Sequence, residues 1–236
     1  MMNSNYDQKD MKYGQIADNR HINAFIYQCF EYISEIDERK FVKKFRKQPH
    51  DSEQIMHTFR ELVLGAYLSS SGFTVRHDYV VKDKTPDWCI LDDKSVTVGI
   101  VELASFHLDK ATEIEIEQQL EARSIACFWR DKKKNNVQRL YHRIWDKAVE
   151  YRSLAKKLEI PYVAAIFGDF RAAVDFQEVQ ICLFDKDIGL FGIYPEMSGV
   201  LYFQDSFGRY FFNYTTNPHA LKLIDFPNGV FSHETP

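Results

Sequence analysis

Apolar residues recur at helical spacing in two stretches of the first third of the chain. From Ile22 to about Phe45, apolar side chains return every three or four residues, as helix-forming sequences require. Further on, Asp51 and Ser52 offer an N-cap, and an apolar stripe continues to about Ser71, just before Gly72. The pattern predicts one helical region over 22–45 and a second helix over about 52–71.

Short β-rich segments follow in close succession. Residues 74–81, 87–91 and 96–103 are rich in β-branched and aromatic side chains, and the turn-forming residues 92–94 separate the last two. A helical pattern then covers 137–158, an apolar strand 161–167 and a short helix 176–184. Two aromatic segments, 201–204 and 210–214, suggest a late hairpin.

This order of elements predicts one mixed α/β fold, in which helices flank a mixed β-sheet core. We expect a polar tail and a helical extension over residues 1–50, and one domain with a single core over 51–236. The hairpin would close that domain at its C-terminal end.

Composition bears on the size of the core and on the expected location of the protein. Of 236 residues, 45% are hydrophobic and 15% aromatic, which is ample for a core. No run approaches the ~20 apolar residues that cross a bilayer, and the N-terminus has no apolar segment typical of a secretory signal. We therefore expect a cytoplasmic protein with no membrane partner. The four cysteines are too far apart in sequence for a zinc knuckle, and we expect them to be core thiols.

Charge is uneven along the chain. The net charge is −4, yet the segment from Arg130 to Lys157 holds ten Lys or Arg residues and three acidic ones. Such a segment can mark a surface that meets phosphate, or it can be the solvated face of a helix. If it binds nucleic acid, Arg130, Lys132, Lys133, Arg139 and Arg143 are the candidate contacts.

Two carboxylates occupy special places in the strand region. Asp87 begins one predicted strand directly after Pro86, and Glu102 lies near the end of the next. Two paired strands of this length can bring both carboxylates to one point at the sheet edge, where with water they would suit a hard divalent cation. Alternatively, Asp87 is an ordinary strand-start residue and Glu102 forms a simple ion pair.

Pro86-Asp87 at the start of one strand and Glu102-Leu103-Ala104 on the next form a strand motif. This motif resembles that of the PD-(D/E)XK nuclease superfamily. Glu61, on the preceding helix, matches the place where many members carry an acidic residue that completes the metal site. The resemblance implies a restriction endonuclease-like fold, metal ligands at Glu61, Asp87 and Glu102, Mg²⁺ or Mn²⁺ as cofactor, and hydrolysis of DNA. It also allows a homodimer, because many such nucleases need two active sites to cut both strands.

One position departs from the family pattern. The motif lysine should stand two residues after Glu102, where this chain has Ala104. Some branches place that lysine on the next helix, and Lys147 is the candidate here. At about 100° per residue, Lys147 falls inside the apolar arc of the 137–158 helix, between Leu154 and Leu140. A lysine there either covers apolar surface with its stem or meets a carboxylate.

Two functions from different classes follow. The first is a metal-dependent endonuclease, with Asp87, Glu102 and Lys147 as catalytic residues. The second is an inactive nuclease-fold module that binds nucleic acid or a protein partner, since Ala104 replaces the motif lysine. No Gly-rich phosphate loop is present, so a nucleotide cofactor is not expected.

Overall fold

A computed structural model gives the fold of the chain and describes residues 20–47, 52–106, 114, 118–119, 136–168, 175–206 and 208–232. The chain divides into two compact units. The first comprises residues 1–101 with 231–236, and the second comprises residues 102–230. The boundary between them falls within a single strand.

Three helices open the first unit: α1 (Arg20–Phe30), α2 (Glu35–Lys47) and α3 (Ser52–Ser70). The helical region predicted over 22–45 is confirmed, but it consists of two helices, with a break between α1 and α2 that the apolar spacing did not show. Ser34 explains the break: its Oγ atom accepts a hydrogen bond from the backbone of Asp37 at 3.3 Å and so caps α2. The bounds of α3 agree with the prediction, and Gly72 follows it with a φ of +92°.

The strands of the first unit are β1 (Thr74–His77), β2 (Trp88–Leu91) and the first half of β3 (Thr97–Phe106). Both pairings are antiparallel, with His77 opposite Trp88 in one and Trp88 opposite Val101 in the other. β1 is shorter than the predicted 74–81, because Asp78 has a φ of +45° that ends the extended backbone. The predicted turn is confirmed, with Asp92 accepting hydrogen bonds from the backbone of Lys94 and Val96.

The second unit contains the rest of β3, α4 (Asn136–Leu158), β4 (Tyr162–Gly168), α5 (Phe176–Phe184), α6 (Leu190–Ile193), β5 (Met197–Ser206) and β6 (Arg209–Thr216). The predicted helices over 137–158 and 176–184 are confirmed, and so is the strand at 161–167. β4 pairs with β5 in parallel, and β5 pairs with β6 as the predicted hairpin, with strands longer than expected. α6 and the last strand, β7 (Gly229–Ser232), were not predicted.

The seven strands follow chain order, β1 to β7, in one mixed sheet, so the mixed α/β class is confirmed. In α4 the predicted apolar arc is buried, including Leu140, Ile144, Ala148 and Tyr151. Cys29, Cys89 and Cys182 are buried free thiols, while Cys127 lies outside the described residues. Among the described helices, none has the length and apolar character needed to cross a membrane.

Candidate functional site

Glu102 is a buried carboxylate in the middle of an apolar strand. It is 1% exposed, and its neighbours Val101 and Leu103 are buried as well. A carboxylate removed from water in this way needs a charged or hydrogen-bonding partner, because burial otherwise disfavours its ionised form. The Glu102 carboxylate on β3 therefore requires such a partner.

Lys147 is that partner. Its Nζ atom donates a hydrogen bond to Oε2 of Glu102 at 2.7 Å, and it lies 4.0 Å from a carboxylate oxygen of Glu150. The Lys147 side chain is 28% exposed, so its stem is covered and its charged end reaches the carboxylate. Of the two arrangements expected for a lysine on this face of α4, the contact with a carboxylate is the one found.

Ala104 and Phe106 continue the face of β3 that begins at Glu102, because side chains alternate along a strand. Ala104 is buried, so the position two residues after Glu102 holds only a methyl group. The guanidinium of Arg139 lies over the Phe106 ring, 4.7 Å from its centroid. Helix α4 thus supplies cations to β3 at two places, from Lys147 and from Arg139.

Asp87 belongs to the first unit and is partly exposed at the start of β2, after the buried Pro86. Its carbonyl oxygen accepts a hydrogen bond from the backbone of Asp78 at 3.2 Å. The next residue, Trp88, pairs with Val101 of β3. The backbone therefore fixes Asp87 immediately before the first residue of β2, whereas the sequence predicted Asp87 as the first residue of that strand.

Glu61 lies on α3, also in the first unit, within a cluster of cationic and imidazole groups. Its Oε1 atom is 3.1 Å from Nε2 of His57, while Oε2 is 3.2 Å from Nε2 of His77 and 3.0 Å from Nζ of Lys44. Burial by itself would raise the pKa of Glu61. The hydrogen bonds with His57 and His77 and the charge of Lys44 outweigh burial and hold this pKa well below its usual range.

Lys44 extends the cluster towards Asp87. Its Nζ atom also lies 3.1 Å from Oδ2 of Asp78, whose backbone contacts the Asp87 carbonyl. Glu61 and Asp87 are therefore linked within the first unit through Lys44 and Asp78. Sequence reasoning did not assign roles to Lys44, His77 or Asp78; only His57, four residues before Glu61 on the same helix face, offered a local signal.

A buried aromatic group supports this cluster. The indole nitrogen of Trp88 donates to the carbonyl oxygen of Glu61 at 2.9 Å. The Trp88 ring lies 5.9 Å from the Phe41 ring and 5.1 Å from the His77 ring, between centroids. These contacts fix α3 against β1 and β2 and so orient the Glu61 carboxylate.

The predicted nucleic-acid contacts are only partly within the described residues. Arg139 and Arg143 lie on α4, whereas Arg130, Lys132 and Lys133 fall outside the described residues. The donor chemistry of Glu61, Asp87 and Glu102 suits a hard divalent cation, which binds carboxylate oxygens. Within the described ranges, however, no group of three or more His, Cys, Asp or Glu side chains is arranged to hold a metal ion.

Comparisons with known proteins do not assign the chain to a family. No protein-family model matches the chain, and searches of curated proteins and of solved structures found no match.

Proposed function

We propose that the protein is a divalent-metal-dependent endonuclease that hydrolyses phosphodiester bonds of DNA. The observation that carries the proposal is the contact between Lys147 and Glu102, which sets an ammonium group 2.7 Å from a buried carboxylate. The strand motif has Ala104 where the resemblance calls for a lysine, and α4 brings a lysine to the motif glutamate from another element. This supports a working site rather than a decayed one.

Asp87 and Glu102 are the proposed metal ligands, with Mg²⁺ or Mn²⁺ as the cation. Asp87 directly precedes β2, and Glu102 lies on β3. Glu61 stays a predicted third ligand, and binding a cation would require it to exchange a contact with His57, His77 or Lys44. A bound divalent cation supplies Lewis-acid activation of water and neutralises charge that develops on the phosphodiester.

The other proposed roles belong to cationic side chains. Lys147 compensates the charge of Glu102 in the resting protein, and in the reaction it would donate hydrogen bonds to the attacking water and stabilise growing negative charge. Arg139 and Arg143, with Arg130, Lys132 and Lys133, would contact the phosphate backbone. Affinity for DNA would therefore fall with salt and depend little on sequence.

The test is cleavage of supercoiled plasmid and linear duplex DNA in Mg²⁺, in Mn²⁺ and in EDTA. The wild type should cleave only with metal, and Asp87→Asn, Glu102→Gln and Lys147→Met should each lose about 100-fold or more in rate. Asp93→Asn is the matched control, because Asp93 is an exposed carboxylate in the turn between β2 and β3. It should cleave like the wild type.

Two results would overturn the proposal or part of it. Absence of cleavage by a folded wild type with either metal would favour the inactive binding module. Full activity of Glu102→Gln would remove Glu102 from the reaction and leave its contact with Lys147 as a structural ion pair.

A further inference from the structure

Two contacts fix how α4 lies along β3 within the second unit. Lys147 is bonded to Glu102, and the Arg139 guanidinium lies over the Phe106 ring. The later helix residue meets the earlier strand residue, so the two elements run in opposite directions at this contact.

The spacing of these contacts agrees with ideal geometry. Eight residues of helix separate Arg139 from Lys147 and rise about 12 Å. Four residues of strand separate Glu102 from Phe106 and span about 13 Å. The helix and the strand therefore advance by nearly the same distance between the two contacts. The midpoint of the helical segment lies beside the midpoint of the strand segment.

Those midpoints are Arg143 on α4 and Ala104 on β3. Arg143 is four residues from both Arg139 and Lys147, which places all three on one side of the helix. Ala104 shares its face of β3 with Glu102 and Phe106. Arg143 is thus the cationic residue of α4 at the level of Ala104, the position where the strand motif lacks its lysine.

Arg143 also differs from its two neighbours in what it contacts. Lys147 is bonded to Glu102 and Arg139 is stacked on Phe106, whereas Arg143 is exposed and makes no hydrogen bond or ion pair with another described residue. Its planar guanidinium can bind two oxygens of one phosphate, which a lysine cannot match.

We propose that Arg143 binds the non-bridging oxygens of the DNA phosphate held at the Glu102–Lys147 site. It thereby supplies from α4 a charge that Ala104 cannot supply from β3. This inference rests on the proposed function, since it requires a DNA phosphate at that site. It narrows the role of Arg143 from general backbone contact to contact with the phosphate nearest Glu102.

The first arm of the test measures binding of a labelled duplex DNA by fluorescence anisotropy in EDTA over a range of salt concentrations. Arg143→Gln should weaken binding about tenfold and make the negative slope of log K against log salt shallower by about 1. Lys157→Gln, which removes an exposed charge from the last turn of α4, is the control and should change neither quantity.

The second arm locates the phosphate. A phosphate close to Glu102 is repelled by that carboxylate, so Glu102→Gln should raise DNA affinity several-fold in EDTA. Because neighbouring sites are not additive, the gain should be at least about threefold smaller in an Arg143→Gln background. Equal gains in both backgrounds would put the phosphate at Arg143 away from Glu102 and overturn the inference, as would unchanged binding by Arg143→Gln or a wild type that binds no DNA.

The outcomes separate this inference from the proposed function. Coupling between Arg143 and Glu102 without any cleavage by the wild type would keep the phosphate site and remove the nuclease. Metal-dependent cleavage together with unchanged DNA binding by Arg143→Gln would keep the nuclease and remove this role of Arg143.

Discussion

The Lys147 ammonium group bonds to a Glu102 carboxylate that is only 1% exposed, and it does so from a helix more than forty residues later in the chain. Removing the Lys147 ammonium group from such a pair takes a compensating charge away from a buried carboxylate, which costs more than the pair itself contributes.

Lys147→Met should therefore lower the free energy of unfolding by about 2–4 kcal/mol. Glu102→Gln should cost less, since it leaves a neutral amide, and the double variant should recover part of the loss from Lys147→Met. Urea unfolding followed by circular dichroism measures all three. Equal losses in Lys147→Met and in the exposed-site control Lys157→Met would contradict a charge-compensating role for Lys147.

The Glu61 cluster predicts a specific dependence of stability on pH. The pKa of Glu61 is lower in the folded protein than its ordinary value of about 4.3, so its contribution to stability is complete above about pH 5. That contribution is lost as pH falls towards the folded pKa, at about 1.4 kcal/mol per pH unit below about pH 4. The stability difference between the wild type and Glu61→Gln should shrink accordingly between pH 5 and pH 3.

Glu35→Gln provides the matched control for this measurement, because the Glu35 side chain is 77% exposed on the neighbouring helix α2. Its stability difference from the wild type should stay nearly constant over the same pH range. A constant difference for Glu61→Gln as well would mean that the contacts of Glu61 do not favour its ionised form.

Close packing of Gly65 against Trp88 gives a prediction independent of charge. A β-carbon added at Gly65 would overlap Cζ2 of the buried Trp88 indole, so the neighbouring side chain or backbone would have to shift. Gly65→Ala should destabilise the protein by about 1–3 kcal/mol despite the better helix propensity of alanine. Gly192→Ala should be neutral or stabilising in the same thermal unfolding experiment, because no described atom outside the local backbone lies within 4 Å of the added carbon.

Local patterns predicted most of the regular elements, because their signals lie within one segment. Helices α3 and α4 follow from apolar spacing, and the β2–β3 turn follows from Asp92. The break between α1 and α2 was missed because the apolar spacing continues across it, although Ser34 followed by Asp37 is a capping pattern. The four-residue elements α6 and β7 are too short to give a period.

The candidate site was predictable only where one element constrained it. Lys147 could be singled out because a lysine on an apolar helix face must either extend its ammonium group to solvent or pair it with a carboxylate. Lys44 and His77 could not be found in this way, since they meet Glu61 from elements 17 and 16 residues away and nothing in either segment specifies that meeting. Their contact depends on how α2, α3 and β1 pack together.

Titration calorimetry with Mn²⁺ tests most directly whether carboxylates of this chain bind a divalent cation. We expect the wild type to bind Mn²⁺, Asp87→Asn and Glu102→Gln to lose that binding, and Asp93→Asn to retain it. A folded wild type that binds no Mn²⁺, or a Glu102→Gln variant that binds it as well as the wild type, would contradict the assignment of Glu102 as a metal ligand.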